Sequence, residues 1–356
     1  MTSLLEHVSL HRVAGTELRV VSDMDSSLGP FVEVETDVIE KYAASPRWQQ
    51  QTVTLFVLKD LEPLIRQLTQ EAAGRRSADL SALPPGGLAG LGERPIVNVY
   101  DLKNPGSCHV FVNQKAMEKE GYWGDREAEK GLLAHEHAHP LSECETTLSA
   151  RRLKMDISTD SLRPLFAAGA QEKEWPTKVD RLLEVMVDKL CLYAPREIFA
   201  NDLTIESGFS ASLLHLDRKN LRNAGEGVRE RGALEQMLQR EVESESLTRA
   251  GAELLLTVAD MKGYLDLAME TAPFYRQSKA AEAQGLEETL FAQVMPYLEP
   301  LVAKAYPKLR DAYVGLPEDA SPEALKQWVE SLVSMLAEVL SKKGLRLECR
   351  LSVVPE

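Results

Sequence analysis

The segment Leu133-Ala134-His135-Glu136-His137-Ala138-His139 places two histidines four residues apart, with a glutamate directly after the first. Residues four apart on a helix project from nearly one face, so His135 and His139 are predicted to grip a single metal ion between their imidazoles. Glu136 sits beside that face, close enough to take a proton from water without being a ligand itself. The chemistry such a pattern suits is hydrolysis: Zn2+ makes water acidic enough to ionise near neutral pH, and the neighbouring carboxylate acts as general base. His137 points to the other side of the helix and is expected to be packed or hydrogen-bonded, not metal-bound.

Catalytic zinc usually takes a third protein ligand. The run Leu182-Leu183-Glu184-Val185-Met186-Val187-Asp188-Lys189-Leu190 is apolar nearly all round, so a helix built from it is expected to be buried. Burying an unpaired carboxylate is costly. A metal would give Glu184 a partner, and the second ring N–H of a ligand histidine would give one to Asp188. Glu197 is the alternative third ligand, although Arg196 beside it offers an ordinary salt bridge. His109, Cys108, Cys144 and Glu143 are lesser candidates. Glu143 is the poorest of them, because three successive ligands along one helix cannot surround a tetrahedral ion.

These groups need a helix, a neighbouring strand and a second helix to position them. Asp125 can cap the histidine helix, Glu127 and Glu129 suit the positive end of its dipole, and Pro140 should end or kink it. Before it, residues 96–100 and 108–112 are β-rich and joined across Asn104-Pro105-Gly106, which predicts a hairpin. In its second strand Cys108, Val110 and Val112 share one face, and His109, Phe111 and Asn113 the other. Earlier in the chain, 17–21 and 31–34 read as strands, and 52–70 as a helix bent at Pro63. A Gly/Pro-rich run over 83–92 reads as a surface loop. After the histidines, a helix is predicted over 177–192, separated from the next by Pro195. From about 206 onward the pattern is helical, with amphipathic stretches at 234–242, 247–269 and 286–302. Ser321-Pro322 opens a last helix, Gly344 closes it, and 345–353 alternates like a strand. There is no internal repeat.

Taken together, the hairpin, the His-Glu-x-x-His helix and a downstream helix with Glu-x-x-x-Asp resemble the gluzincin branch of the zinc metallopeptidases, over roughly residues 96–202. The resemblance implies Glu184 as third ligand and Asp188 as the residue that orients a ligand histidine. Glu197 to Asn201 fits a looser form of that pattern, with Asn replacing Asp. It also implies that the strand over 108–113 pairs with extended substrate. Hydrolysis needs a donor to the oxyanion of the transition state as well, for which Tyr193, Arg196, His109 and Tyr122 are the candidates. The fold expected is α+β: a zincin-like catalytic domain with a small antiparallel or mixed sheet and the histidine helix, followed by a mainly helical C-terminal region. In chain order this gives an N-terminal part over 1–92, a metal-binding core over 93–205 and a helical region with a terminal strand over 206–356.

Composition narrows the class further. The 356 residues carry a formal net charge of -14 and are 44% hydrophobic, enough for a substantial core. That charge argues against nucleic acid and anionic lipid as partners, because the tightest basic groups, Arg75-Arg76 and Arg151-Arg152, are short. The first residues lack a secretory pattern and no run is apolar enough to span a bilayer, so the cytoplasm is the expected compartment. Cys108, Cys144, Cys191 and Cys349 are scattered and read as reduced thiols. The expected protein is thus a zinc-dependent hydrolase, a protease acting on a peptide or protein substrate. The composition carries no signal of oligomeric state. Two other readings fit the same residues: a zinc-stabilised interaction module without catalysis, and a zinc hydrolase acting on a small amide.

Overall fold

The computed structural model describes residues 7–24, 28–66, 92–159 and 174–354, so most of the Gly/Pro-rich run lies outside the described residues. The chain is α+β, with a small mixed sheet near its start and a mostly helical C-terminal region. It divides into two compact units, Met1–Glu143 with Phe199–Lys219, and Cys144–Ile198 with Asn220–Glu356.

In the first unit, β1 (His7–Val13) and β2 (Thr16–Ser22) form a hairpin. Its two-residue turn has Ala14 at φ 48° and Gly15 at φ 90°, the left-handed geometry that matches strand twist. Helix α1 (Gly29–Ala43) leads to β3 (Thr52–Leu58), and β4 (Ile96–Tyr100) and β5 (Ser107–Asn113) form the expected hairpin. The sheet order is β1-β2-β3-β5-β4, with β2, β3 and β5 parallel and the outer strands antiparallel to their neighbours. Leu18, Val20, Val53, Leu55, Val57, Cys108, Val110 and Val112 are at most 3% exposed and form the sheet's share of the core. After α2 (Gln114–Lys119), helix α3 (Arg126–Ala138) carries the histidines, packing against α1 and lying beside β4.

Two expectations fail here. Residues 31–34 are not a strand but the start of α1, whose buried positions Phe31, Val34, Glu35, Val38, Ile39 and Tyr42 repeat with helical period. Residues 52–58 are a strand and not a helix: Thr-Val-Thr-Leu-Phe-Val-Leu is rich in β-branched and aromatic residues, and its buried positions Val53, Leu55 and Val57 alternate with half-buried ones. A third correction concerns β5. It lies between β3 and β4, with both edges paired, and so cannot accept a substrate strand; among the described residues, β4 is the strand at that end of the sheet.

The second unit opens with α4 (Glu145–Arg151), β6 (Leu153–Ser158) and α5 (Glu174–Val187). Pro195 does not break the chain as expected. A π-helical segment, Asp188–Tyr193, carries α5 into α6 (Ala194–Thr204), and Pro195 follows directly on that segment, so the residue without an N–H falls where the hydrogen-bond ladder is already irregular. Over Ile205–Phe209 the chain kinks at Gly208, which has φ 86°, before α7 (Ser210–Glu243), and Phe199–Lys219 belong to the first unit. Helices α8 (Arg249–Tyr264), α9 (Ala268–Arg276), α10 (Ala280–Gln293) and α11 (Pro300–Val314) follow. The stretch expected as one helix over 286–302 is split, because Pro296 and Pro300 stop α10 and restart the chain as α11. Ser321 caps α12 (Pro322–Ser341) as predicted, and β7 (Glu348–Val353) pairs antiparallel with β6. No described helix is long and apolar enough to cross a membrane. All four cysteines are free thiols.

Candidate metal centre

The histidine helix is fixed at its start by charge. The Asp125 side chain accepts from the Ala128 N–H at 3.3 Å and from His215 and Lys219. Burial opposes ionisation of Asp125, but these hydrogen bonds overcome it and hold the carboxyl well below the ordinary carboxylate range. One turn further, Gly131 lies so close to α7 that a Cβ there would stand 2.8 Å from the Ser212 carbonyl oxygen. Leu133, Ala134 and Ala138 are fully buried and orient the rest of the helix. The helix ends at Ala138, yet His139 keeps helical backbone angles as its C-cap, so the spacing of four survives to the last residue before Pro140.

His135, Glu136 and His139 present ligand atoms that all lie within 4.8 Å of one another. The two imidazole rings stand 4.6 Å apart at 78°. His139 is 2% exposed, whereas His135 and Glu136 are half-buried at the site surface. The His135 Nδ1 lies 2.6 Å from Asn201 Oδ1 on α6. An amide oxygen can only accept, so Nδ1 donates to it, and in the neutral imidazole this leaves the lone pair on Nε2. A neutral histidine in that tautomer, a second histidine one turn on and an adjacent carboxylate are a donor set that fits Zn2+.

Glu136 is held on β4. The Asn98 N–H donates to Glu136 Oε2 at 3.0 Å, and Asn98 Nδ2 donates to the Glu136 carbonyl at the same distance. Asn98 was legible as an anomaly, a polar amide inside the apolar run Ile96-Val97-Asn98-Val99-Tyr100. His137 faces away from this group, as its position predicts. Its Nε2 lies 2.8 Å from Glu35 Oε1, with both side chains wholly buried, and Trp48 packs on its ring at 5.7 Å. Burial alone would depress the His137 pKa, but the Glu35 charge and hydrogen bonding of the ring to Cys108 and Glu35 reverse this and raise it to about 10. Tyr42 on α1 donates to the Ala134 carbonyl at 2.8 Å and stacks on Trp48. Glu35 and Tyr42 escaped sequence reading because the segment that carries them reads as a strand and a linker, not as one helix face.

The remaining candidates fall elsewhere. Glu184 is exposed on α5, so the premise that burial demands a metal partner for it does not hold. Asp188 is half-buried in the π-helical segment, and burial raises its carboxyl. Glu197 is half-buried on α6, one turn before Asn201 and on the same side of that helix. His109 is exposed and stacks near Phe56, Tyr122 is 7% exposed, and the Arg196 guanidinium lies over the Tyr193 ring. Cys108 is buried and donates to Gln50 Oε1 at 3.1 Å, burial raises the Cys144 thiol, and Glu143 accepts from the Tyr100 hydroxyl at 3.3 Å. Comparison of the chain with protein-family models, curated proteins and solved structures returns no match.

Proposed function

We propose that this chain is a zinc-dependent metallopeptidase of zincin-like, gluzincin type. His135 and His139 hold the Zn2+, and Glu136 is the general base. The observation that carries this reading is the Asn201 hydrogen bond to His135. It prepares one imidazole for metal binding within a group whose second imidazole and carboxylate present donor atoms that all lie within 4.8 Å of one another. The same bond moves the choice of third ligand from Glu184 to Glu197. If Asn201 is the residue that orients a ligand histidine, the carboxylate one turn before it is the partner that helical spacing supplies. Asp188 then has no part in orienting either histidine.

Bound zinc supplies Lewis-acid polarisation of a carbonyl and lowers the pKa of water. The chain's residues do the rest. Asn201 fixes the His135 tautomer, Glu136 takes a proton from the attacking water and later returns it to the leaving amine, and β4 offers an edge on which an extended peptide can lie beside Glu136. That edge favours a peptide over a small amide, because main-chain pairing along a strand has value only for a substrate with several peptide groups. The test is Glu136→Gln, which should keep zinc in full stoichiometry and lose hydrolysis of a peptide library. Normal cleavage by that variant would remove Glu136 from the mechanism.

A further inference from the structure

In the β4–β5 hairpin the Asn113 N–H donates to the Pro95 carbonyl at 2.9 Å, which fixes the alternation of the antiparallel ladder. Val97 and Val99 therefore direct their main-chain groups toward β5, and Ile96, Asn98 and Tyr100 direct theirs outward. The middle outward donor is the Asn98 N–H, and its acceptor is Glu136 Oε2 at 3.0 Å. A carboxylate oxygen at that position stands where the carbonyl oxygen of an added strand would bind. Asn98 is 4% exposed, and while its Nδ2 donates to the Glu136 carbonyl, its Oδ1 finds no hydrogen-bond partner among the described residues. A buried amide oxygen in that state can accept one more N–H.

We propose that Asn98 is a positioning residue that couples substrate docking to release of the base. An extended peptide pairing with β4 takes the Asn98 N–H with its own carbonyl, offers an N–H to Asn98 Oδ1 and displaces the Glu136 carboxylate. The freed carboxylate turns toward the metal centre, while the bond from Asn98 Nδ2 to the Glu136 carbonyl keeps helix and strand together. Without substrate, the base rests on the strand. This inference depends on the peptidase reading above, and it adds to it a specific competition between two acceptors for one main-chain donor.

The experiment is amide hydrogen exchange on the full chain labelled with 15N at asparagine. Asn113 serves as an internal reference because its N–H pairs within the same hairpin. In the wild type both amides are protected. Glu136→Ala should speed exchange at Asn98 by about tenfold or more and leave Asn113 unchanged. Adding a pool of random, terminally blocked octapeptides, which that variant cannot cleave, should restore protection at Asn98. Equal protection at Asn98 in wild type and Glu136→Ala overturns the proposal, as does a failure of the peptides to restore it. Should Glu136→Ala loosen both amides, Glu136→Asp must reproduce the selective loss, and loss at both amides there also overturns it. Zinc uptake by the same samples separates the two readings. Absence of zinc with the exchange pattern intact refutes the peptidase and leaves the Asn98 contact standing, whereas bound zinc without the pattern refutes the coupling alone.

Discussion

Replacing Asn201 by alanine tests the metal centre most directly. Asn201 is 6% exposed and its Oδ1 is 2.6 Å from His135 Nδ1, so truncation leaves a ring N–H facing a buried void. Leaving a buried donor unsatisfied costs about 1–3 kcal/mol, and loss of the group that orients a ligand histidine typically weakens metal binding by about 10- to 100-fold. The two figures agree, since roughly 1.4 kcal/mol corresponds to each factor of ten. Zinc affinity of Asn201→Ala is therefore expected to fall by about one to two orders of magnitude at constant pH. The assay is competition against a chromophoric chelator, with circular dichroism confirming that the helices persist. Asn201→Asp supplies the opposite control: a carboxylate accepts the same proton more strongly, so zinc should bind as tightly as in the wild type or more so. A folded Asn201→Ala protein with unchanged zinc affinity would refute the reasoning. So would an Asn201→Asp protein that loses the metal, because the amide would then have been donating to the ring.

Three other outcomes follow from the same fold. Elemental analysis should find that Glu197→Ala loses zinc while Glu184→Ala, altered at an exposed position, retains it; the reverse order would return the third ligand to α5. Glu35→Gln should lower stability by about 3–5 kcal/mol, because it strands His137 in a wholly buried pair, whereas Glu35→Leu with His137→Phe should cost far less. Urea midpoints that are equal for the single and double variants would contradict this. Asp125 has a depressed pKa in the folded state, so its contribution to stability is complete above the ordinary carboxylate range and is lost as pH falls through the folded value. Asp125→Ala should therefore be less stable than the wild type at neutral pH and converge with it in acid, as thermal melts across that range would reveal.

The histidine helix, its Asp125 cap, the β4–β5 hairpin and the Ser321 cap were legible because each is a local signal: a turn, a capping residue or a spacing within a few positions. What failed to read was set by distant partners. Glu35 interrupts the apolar stripe of α1 for a histidine about a hundred positions away, and no local pattern announces that. β3 looked helical because Leu55-Phe56-Val57-Leu58 is continuously apolar in sequence, which hid the alternation that its buried positions Val53, Leu55 and Val57 follow in the fold. In the site itself, type and spacing identified His135, Glu136 and His139. The choice between Asp188 and Asn201 as histidine partner required knowing which helix passes beside His135, and that depends on the tertiary path of the chain.

The pairing of β6 with β7 has a bearing on how the chain is made. Leu153 lies opposite Val353, so two short strands about 200 positions apart close the second unit onto itself. Closing so long a loop carries an entropic penalty that local helices do not face, and contacts of this kind form late. During synthesis β6 emerges long before its mate and presents an unpaired edge in the interim. A nascent chain stalled before residue 348 would keep that edge exposed, which makes the synthesis of β7 the step before which aggregation or chaperone capture competes with closure of this pair.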